Sequence, residues 1–304
     1  MEIRKLLGKL CILALPFALL ALFIVWTDPF CLLGTSFIPL EVKAKSAFPL
    51  NTCLAKMIQF KQHPQPNILL GDSRMGSLST AEIQRVSGID YINMSYGGAS
   101  MNEIVDTFWT ANKAVPLRNV YMGIGFNLYN DYLYTNRTEA AMAIIDFPPL
   151  YFTNRTVVKG AWFTARMQYL GTDPGLTQPT VTREQQWAGE LTAHSRWSAR
   201  YIKPVRYHAR LEEISTYCRE KNINLRFIIF PGHSDLQAIP HRYHRDAEYA
   251  QFKQDLAHFG PVFDYDLPNE TTANAANYSD PVHFHQEVAN RIIAQVFGSA
   301  TAVN

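Results

Sequence analysis

Between residues 60 and 297 the chain alternates short apolar runs with stretches in which apolar side chains recur every three or four positions. The runs at 67–71 (NILLG), 91–93, 119–125 (NVYMGIG), 225–230 (LRFIIF) and 262–265 have the length of strands. Helical spacing follows them: Tyr207, Leu211, Ile214 and Cys218 share a face over 204–221, and Val288, Ile292 and Val296 share one over 284–297. Pro204 suits a first helical turn. Two further helix starts are marked without periodicity, because Ser79 with Glu82 and Ser100 with Glu103 have capping-box spacing. Strands alternating with helices predict an α/β fold with a mostly parallel five-stranded sheet covered on both faces by helices.

Two regions break the rhythm. Residues 10–26 form a charge-free apolar run just long enough to cross a bilayer, preceded by Arg4, Lys5 and Lys9, with no further basic residue until Lys43. This predicts a single-span anchor in the inner, cytoplasmic membrane, with everything downstream extracytoplasmic, in the periplasm of an envelope with two membranes. Thr27, Asp28 and Pro29 offer no small-x-small cleavage site, which favours an uncleaved anchor over a signal peptide. The second region, 128–201, is polar and aromatic together and contains Trp162, Trp187, Trp197 and a turn-rich tract at 171–179. At roughly seventy residues it is too long for a connection and reads as an insertion, either a lid or a small subdomain. The expected organisation is cytoplasmic terminus and anchor at 1–30, a linker at 31–64, and one domain at 65–304 carrying the insertion.

Composition narrows the partners. With 28 Lys plus Arg against 26 Asp plus Glu, the net charge of +2 provides no field for a polyanion, and nucleic acid is excluded as an expected partner. The four cysteines do not make a disulfide framework; Cys31 and Cys53 are the one pair whose context would permit a bridge, and they are read as free. No zinc-type spacing is present, and no metal or cofactor is expected.

The chemistry-bearing signals lie at the two ends of the α/β region. In 67–74 (NILLGDSR) a strand runs into Gly71-Asp72-Ser73, which leaves the Ser73 hydroxyl at the carboxyl end of the strand, where open α/β sheets bind ligands. A serine needs a base to become a nucleophile, and that base needs a group to hold its tautomer. Asp280 and His283, three apart before the last helix, have the spacing for such a pair. Taken singly, Ser73 reads equally as a helix cap, Asp280 as a cap of the last helix, and His283 as a half-buried helix residue.

Gly71-Asp72-Ser73 early and Asp280-x-x-His283 late, on an alternating βα chain, resemble the SGNH/GDSL superfamily of serine esterases and acyltransferases. The resemblance covers about 65–297, outside the insertion, and implies a flavodoxin-like three-layer fold. It implies Ser73 as nucleophile, His283 as base and Asp280 as its orienting partner. It also implies an oxyanion hole from the Ser73 N–H, from Gly97 or Gly98 in 93–100 (NMSYGGAS), and from the Asn127 side chain in Gly125-Phe126-Asn127. Leu128 stands where the family usually has Asp. The anchor, the Gly-Asp-Ser-Arg variant and the insertion are more similar to the bacterial envelope branch, which includes polysaccharide O-acetyltransferase components and the D-alanyl transfer protein of teichoic acid synthesis.

The expectation is therefore O-acyl esterase or O-acyltransferase chemistry, with acetyl the expected group, on an envelope glycan or other acylated small molecule. The competing expectations are a catalytically inactive glycan-binding or scaffold subunit, and an assembly partner of a multi-span membrane acyltransferase. Arg74 is expected either to bind an anionic substrate group or to cover the sheet edge with its stem. Trp162, Trp187 and Trp197 are expected either to stack sugar rings or to form a small core of their own. His285 rivals His283 as base, and His241 with His244 and Asp246 reads as a solvated face.

Overall fold

The computed structural model describes residues 2–172 and 181–298. The fold is α/β, with a five-stranded parallel sheet, helices around it and an N-terminal apolar helix. The strands are β1 (Asn67–Leu70), β2 (Ile92–Asn93), β3 (Asn119–Gly123), β4 (Asn224–Ile229) and β5 (Val262–Asp264), in the order β2-β1-β3-β4-β5. Each lies within two residues of its expected position. Leu69, Tyr121 and Ile228 point from the sheet into one apolar cluster with Val288, Ile292, Val296 and Phe297 of the last helix, Gln286–Phe297. Alternate residues such as Ile68, Leu70, Val120 and Met122 must face the other side, and they too are fully buried. Both faces are therefore covered, which is why the strands read as continuous apolar runs rather than alternating ones.

Register is pinned at the amino end of the three central strands. Asn67, Asn119 and Asn224 are aligned neighbours, and their side chains bond in series at 2.8 and 2.9 Å. At the other end, Gly71 adopts a φ of +157°, and a Cβ there would come within 2.9 Å of the Gly123 carbonyl. Only glycine allows β1 to turn that close to β3. Of the two expected capping boxes, Ser100 with Glu103 closes completely. Ser79 accepts from the Glu82 N–H, but the Glu82 carboxylate is taken by Arg85, so that box closes on one side only.

The chain divides into two compact units. The sheet unit comprises His63–Asn136 and Thr180–Asn304; the N-terminal unit comprises Met1–Gln62 and Arg137–Pro179. This differs from the expected organisation in two ways. Residues 31–64 are not a plain linker but contain the helices Leu40–Ser46 and Thr52–Gln62, and the insertion is shared between the units. The physical reason is that the buried face of Thr52–Gln62, with Leu54, Met57 and Ile58, finds its partner in helix Arg137–Asp146, some eighty residues away. The turn-rich tract falls largely outside the described residues, at 173–179.

In the N-terminal unit, helix Glu2–Thr27 contains a segment, Ile3–Thr27, long and apolar enough to cross a membrane. The chain after it is tied down. The buried Asp28 carboxylate accepts from the Leu33 and Thr35 N–H groups and from the Tyr151 hydroxyl, whose oxygen in turn accepts from the Phe30 N–H. Among the described residues no cysteine is joined in a disulfide.

Candidate active site

In the sheet order, β1 lies between β2 and β3, so the chain winds in opposite directions on its two sides, and the crevice at the carboxyl ends of such strands is where open α/β sheets take ligands. Ser73 follows β1 and Asn127 follows β3. Ser73 opens a short helix, Ser73–Gly76, whose cap is Asp72: its carboxylate accepts from the Arg74 N–H at 2.9 Å. The serine hydroxyl is thereby released from capping. It lies 2.8 Å from His283 Nε2, across 210 residues of sequence.

The turn holding His283 is built around Asp280, which is fully buried. Asp280 Oδ1 accepts from the Val282 and His283 N–H groups at 2.9 Å each, and His283 Nδ1 lies 2.7 Å from Oδ2. A carboxylate is acceptor-only, so Nδ1 carries the proton toward Asp280 and Nε2 is left to accept from Ser73. The hydrogen bond that His283 Nδ1 donates to Asp280 pushes the His283 pKa above its ordinary value, against the opposing effect of burial. For Asp280, burial would raise the carboxyl pKa, but the bond and charge of His283, with the two backbone donors, outweigh it and hold it low. His285 stands apart: it is exposed, precedes the last helix and donates its N–H to the Asn277 carbonyl.

Arg74 does not have the position expected of an anion-binding group. It is 4% exposed, and its Nε and Nη2 donate to both oxygens of Asp72 at 2.7 to 3.2 Å. Burial works against the Asp72 charge, and the Arg74 charge and hydrogen bonds overcome it, so Asp72 stays ionised well below the usual carboxylate range. Arg74 Nη2 also donates to Asn127 Oδ1 at 3.3 Å. A guanidinium offers only donors, so the amide oxygen must be the atom facing it, and Asn127 Nδ2 points elsewhere. Gly125 makes this possible, since a Cβ there would collide with the guanidinium and with Asn127 Oδ1. Leu128 is buried, 3% exposed, and belongs to the core. Gly97 and Gly98 are both exposed, and Gly98 has a φ of +62°.

Helix Arg183–Ala199, from the insertion, supplies side chains that sequence reasoning did not single out. A complete capping box of Thr182 with Gln185 starts it. Gln186 Nε2 then donates to Asp280 Oδ2 at 2.8 Å. Glu190 and His194 follow at one-turn intervals on the same face. Burial and the charge of Asp280 raise the Glu190 pKa, with His283 pulling the other way. His194 is buried, and desolvation followed by the Arg74 charge pushes its pKa down to about 3, so the ring is neutral at pH 7. The signal that would have found these residues is the spacing itself, four and four, once the helix register is known.

Of the three tryptophans considered, Trp187 donates to Asp235 Oδ2 at 3.0 Å and its ring rests on His233. Trp197 packs edge-on against His194 and, with Arg74, Asn127 and Asp266, lines a cavity of about 40 Å³. Trp162 belongs to the N-terminal unit. His241 forms an exposed pair with Asp246.

No protein-family model matches the chain, and no curated protein matches it in sequence. Solved structures do superpose on it. A chain provisionally named a platelet activating factor, from Streptococcus pneumonia, does so with a TM-score of 0.42 at 10% identity, covering 84% of this chain and 95% of that one. A provisionally named acylhydrolase from Bacteroides fragilis gives a TM-score of 0.39 at 13% identity, covering 79% and 93%.

Proposed function

We propose that the protein is a serine-dependent acyl-ester enzyme, an O-acyl esterase or O-acyltransferase, that works through an acyl-Ser73 intermediate. The observation that carries this reading is the continuous chain from Ser73 Oγ to His283 Nε2 at 2.8 Å, and from His283 Nδ1 to Asp280 Oδ2 at 2.7 Å. Ser73 Oγ attacks the acyl carbonyl carbon while its proton passes to Nε2. The Ser73 N–H, the N–H of Gly97 or Gly98 and Asn127 Nδ2 face the developing oxyanion, each such donor being worth roughly 3 kcal/mol. Collapse of the adduct breaks the bond to the leaving alkoxide oxygen, which receives the proton from His283 Nε2 and departs as the alcohol. Water or a sugar hydroxyl then attacks the acyl-serine by the same steps in reverse. Asp280 stays ionised throughout and stabilises the imidazolium.

The single-span anchor and the charge asymmetry around it favour an extracytoplasmic envelope glycan as the acyl donor or acceptor, in the manner of the SGNH envelope enzymes. Acetyl is the group we assign, and a multi-span membrane acyltransferase is the class of partner that would supply it.

A fluorophosphonate probe tests the nucleophile: wild type should label and Ser73→Ala should not. Equal labelling of both removes the assignment, and absence of labelling in wild type favours a non-catalytic scaffold. With specific labelling in hand, release of acetate from an acetyl ester, with and without a glycan acceptor, separates hydrolysis from transfer.

A further inference from the structure

In the N-terminal unit, helix Arg155–Leu170 contains three basic residues and no acidic one. At 3.6 residues per turn, Arg155, Lys159, Trp162, Arg166, Tyr169 and Leu170 all fall within a sector of about 100°. The opposite side carries Val157, Gly160, Ala161 and Thr164, which are buried. Trp162, Tyr169 and Leu170 are 57%, 59% and 68% exposed. An open face that combines large apolar side chains with unopposed basic ones is unusual for a surface bathed only in water.

The helix is held against the outer end of the apolar segment. A Cβ at Gly160 would meet the side chains of Phe30, Ala47 and Pro29 at 3.2 to 3.3 Å, and Thr164 bonds Ser46 at 2.9 Å. From Gly160 the helix runs about 14 Å back toward the apolar helix, and the Tyr169 ring stacks on Trp26 at 5.2 Å. Trp26 is the last residue of the charge-free run, the level at which tryptophan and tyrosine settle between hydrocarbon and headgroups.

We infer that this face of helix Arg155–Leu170 lies on the bilayer surface, with Trp162, Tyr169 and Leu170 in the headgroup layer and Arg155, Lys159 and Arg166 on the phosphates of anionic lipids. The occupant follows from the continuity with Trp26 and from the charge: a basic, aromatic helix face beside a membrane span suits a negatively charged interface. The N-terminal unit is then seated on the membrane by a second contact besides the span.

The test uses the full-length chain in nanodiscs of neutral lipid and of neutral lipid with anionic lipid added, both brominated near the headgroup. The difference in emission between wild type and Trp162→Phe isolates the quenching of Trp162. It should be quenched in both compositions and more strongly, by about two-fold or more, with anionic lipid present. Replacing Arg155, Lys159 and Arg166 by Gln should abolish that increment. Hydrogen exchange of the 155–170 peptide in the unmutated chain provides a second measurement, with protection expected to rise with anionic lipid. Absence of Trp162 quenching in both compositions would overturn the inference. So would protection that tracks protein copies per disc instead of lipid charge, which would assign the face to a second copy.

Discussion

Asp72 with Arg74 and Asp280 with His283 are both acid–base couples formed between near neighbours in sequence, and both belong to the sheet unit. Their surroundings differ. The Arg74 and Asp72 side chains are 5% and 8% exposed and joined by three side-chain hydrogen bonds. The His283 side chain is 33% exposed, and its far nitrogen meets Ser73. In the sealed couple, burial and pairing fix the charges, so no proton moves near neutral pH. In the open couple, one partner is buried and the other reaches the solvent side, so the proton on the imidazole can be exchanged. Arg74 ties the Asp72 pair to Asn127, while His283 links Asp280 to Ser73.

The comparison can be broken by exchanging which couple bears the loss. His283→Ala should reduce kcat/KM for an activated ester by about 10³-fold or more, and move the unfolding free energy by no more than about 1 kcal/mol. Arg74→Met should do the opposite at first, destabilising the fold by about 3 to 5 kcal/mol in urea titrations, because it strands the buried Asp72 carboxylate. Adding Asp72→Leu should restore most of that stability. If the single change is harmless, the couple is not sealed as described.

Smaller effects sharpen the picture through pH. His283 must be neutral to act as base, and its raised pKa places the acid limb of kcat/KM above pH 6.5. Gln186→Leu removes a donor from Asp280 and should move that limb upward; Glu190→Gln removes a nearby negative charge and should move it downward. Each shift is expected at a few tenths to about one pH unit. An unmoved limb in both would show that helix Arg183–Ala199 does not bear on the imidazole.

The two histidines of the site also act on stability with opposite sign. His283, raised in the fold, stabilises it below pH 6.5 and loses that contribution as pH climbs through its folded value. His194, held neutral with a pKa near 3, costs stability as pH falls below 6.5, by about 1.4 kcal/mol per pH unit. His194→Gln should flatten the acid side of a stability profile measured between pH 6.5 and 4.5.

Much of the sheet unit was legible in the sequence because its signals are local. Strand lengths, the Ser100 cap, and the apolar faces of helices Val205–Glu220 and Gln286–Phe297 all depend on residues within a turn or two of each other. Ser73 and the 280–283 turn were paired across the chain through the resemblance to the SGNH/GDSL superfamily, since neither local signal names the other. The role of Arg74 was not legible, since the sequence does not reveal that its guanidinium is sealed against Asp72. Gln186, Glu190 and His194 were hidden for a similar reason: a helix inside an insertion declares its period but not which neighbour it covers. The two-segment N-terminal unit leaves no local mark in the sequence because its segments are separated by the first three strands.

The asparagine row at the amino end of β1, β3 and β4 acts as a ruler. Counted from it, Gly71 and Gly123 each lie four residues along, and the loops carrying Ser73 and Asn127 start from matched distances. Point changes within these strands alter packing, whereas losing or gaining one residue between the row and the glycines would turn every following side chain to the wrong layer. Length variation in this lineage should therefore accumulate behind the asparagines or beyond the loops, and be purged from the few positions in between.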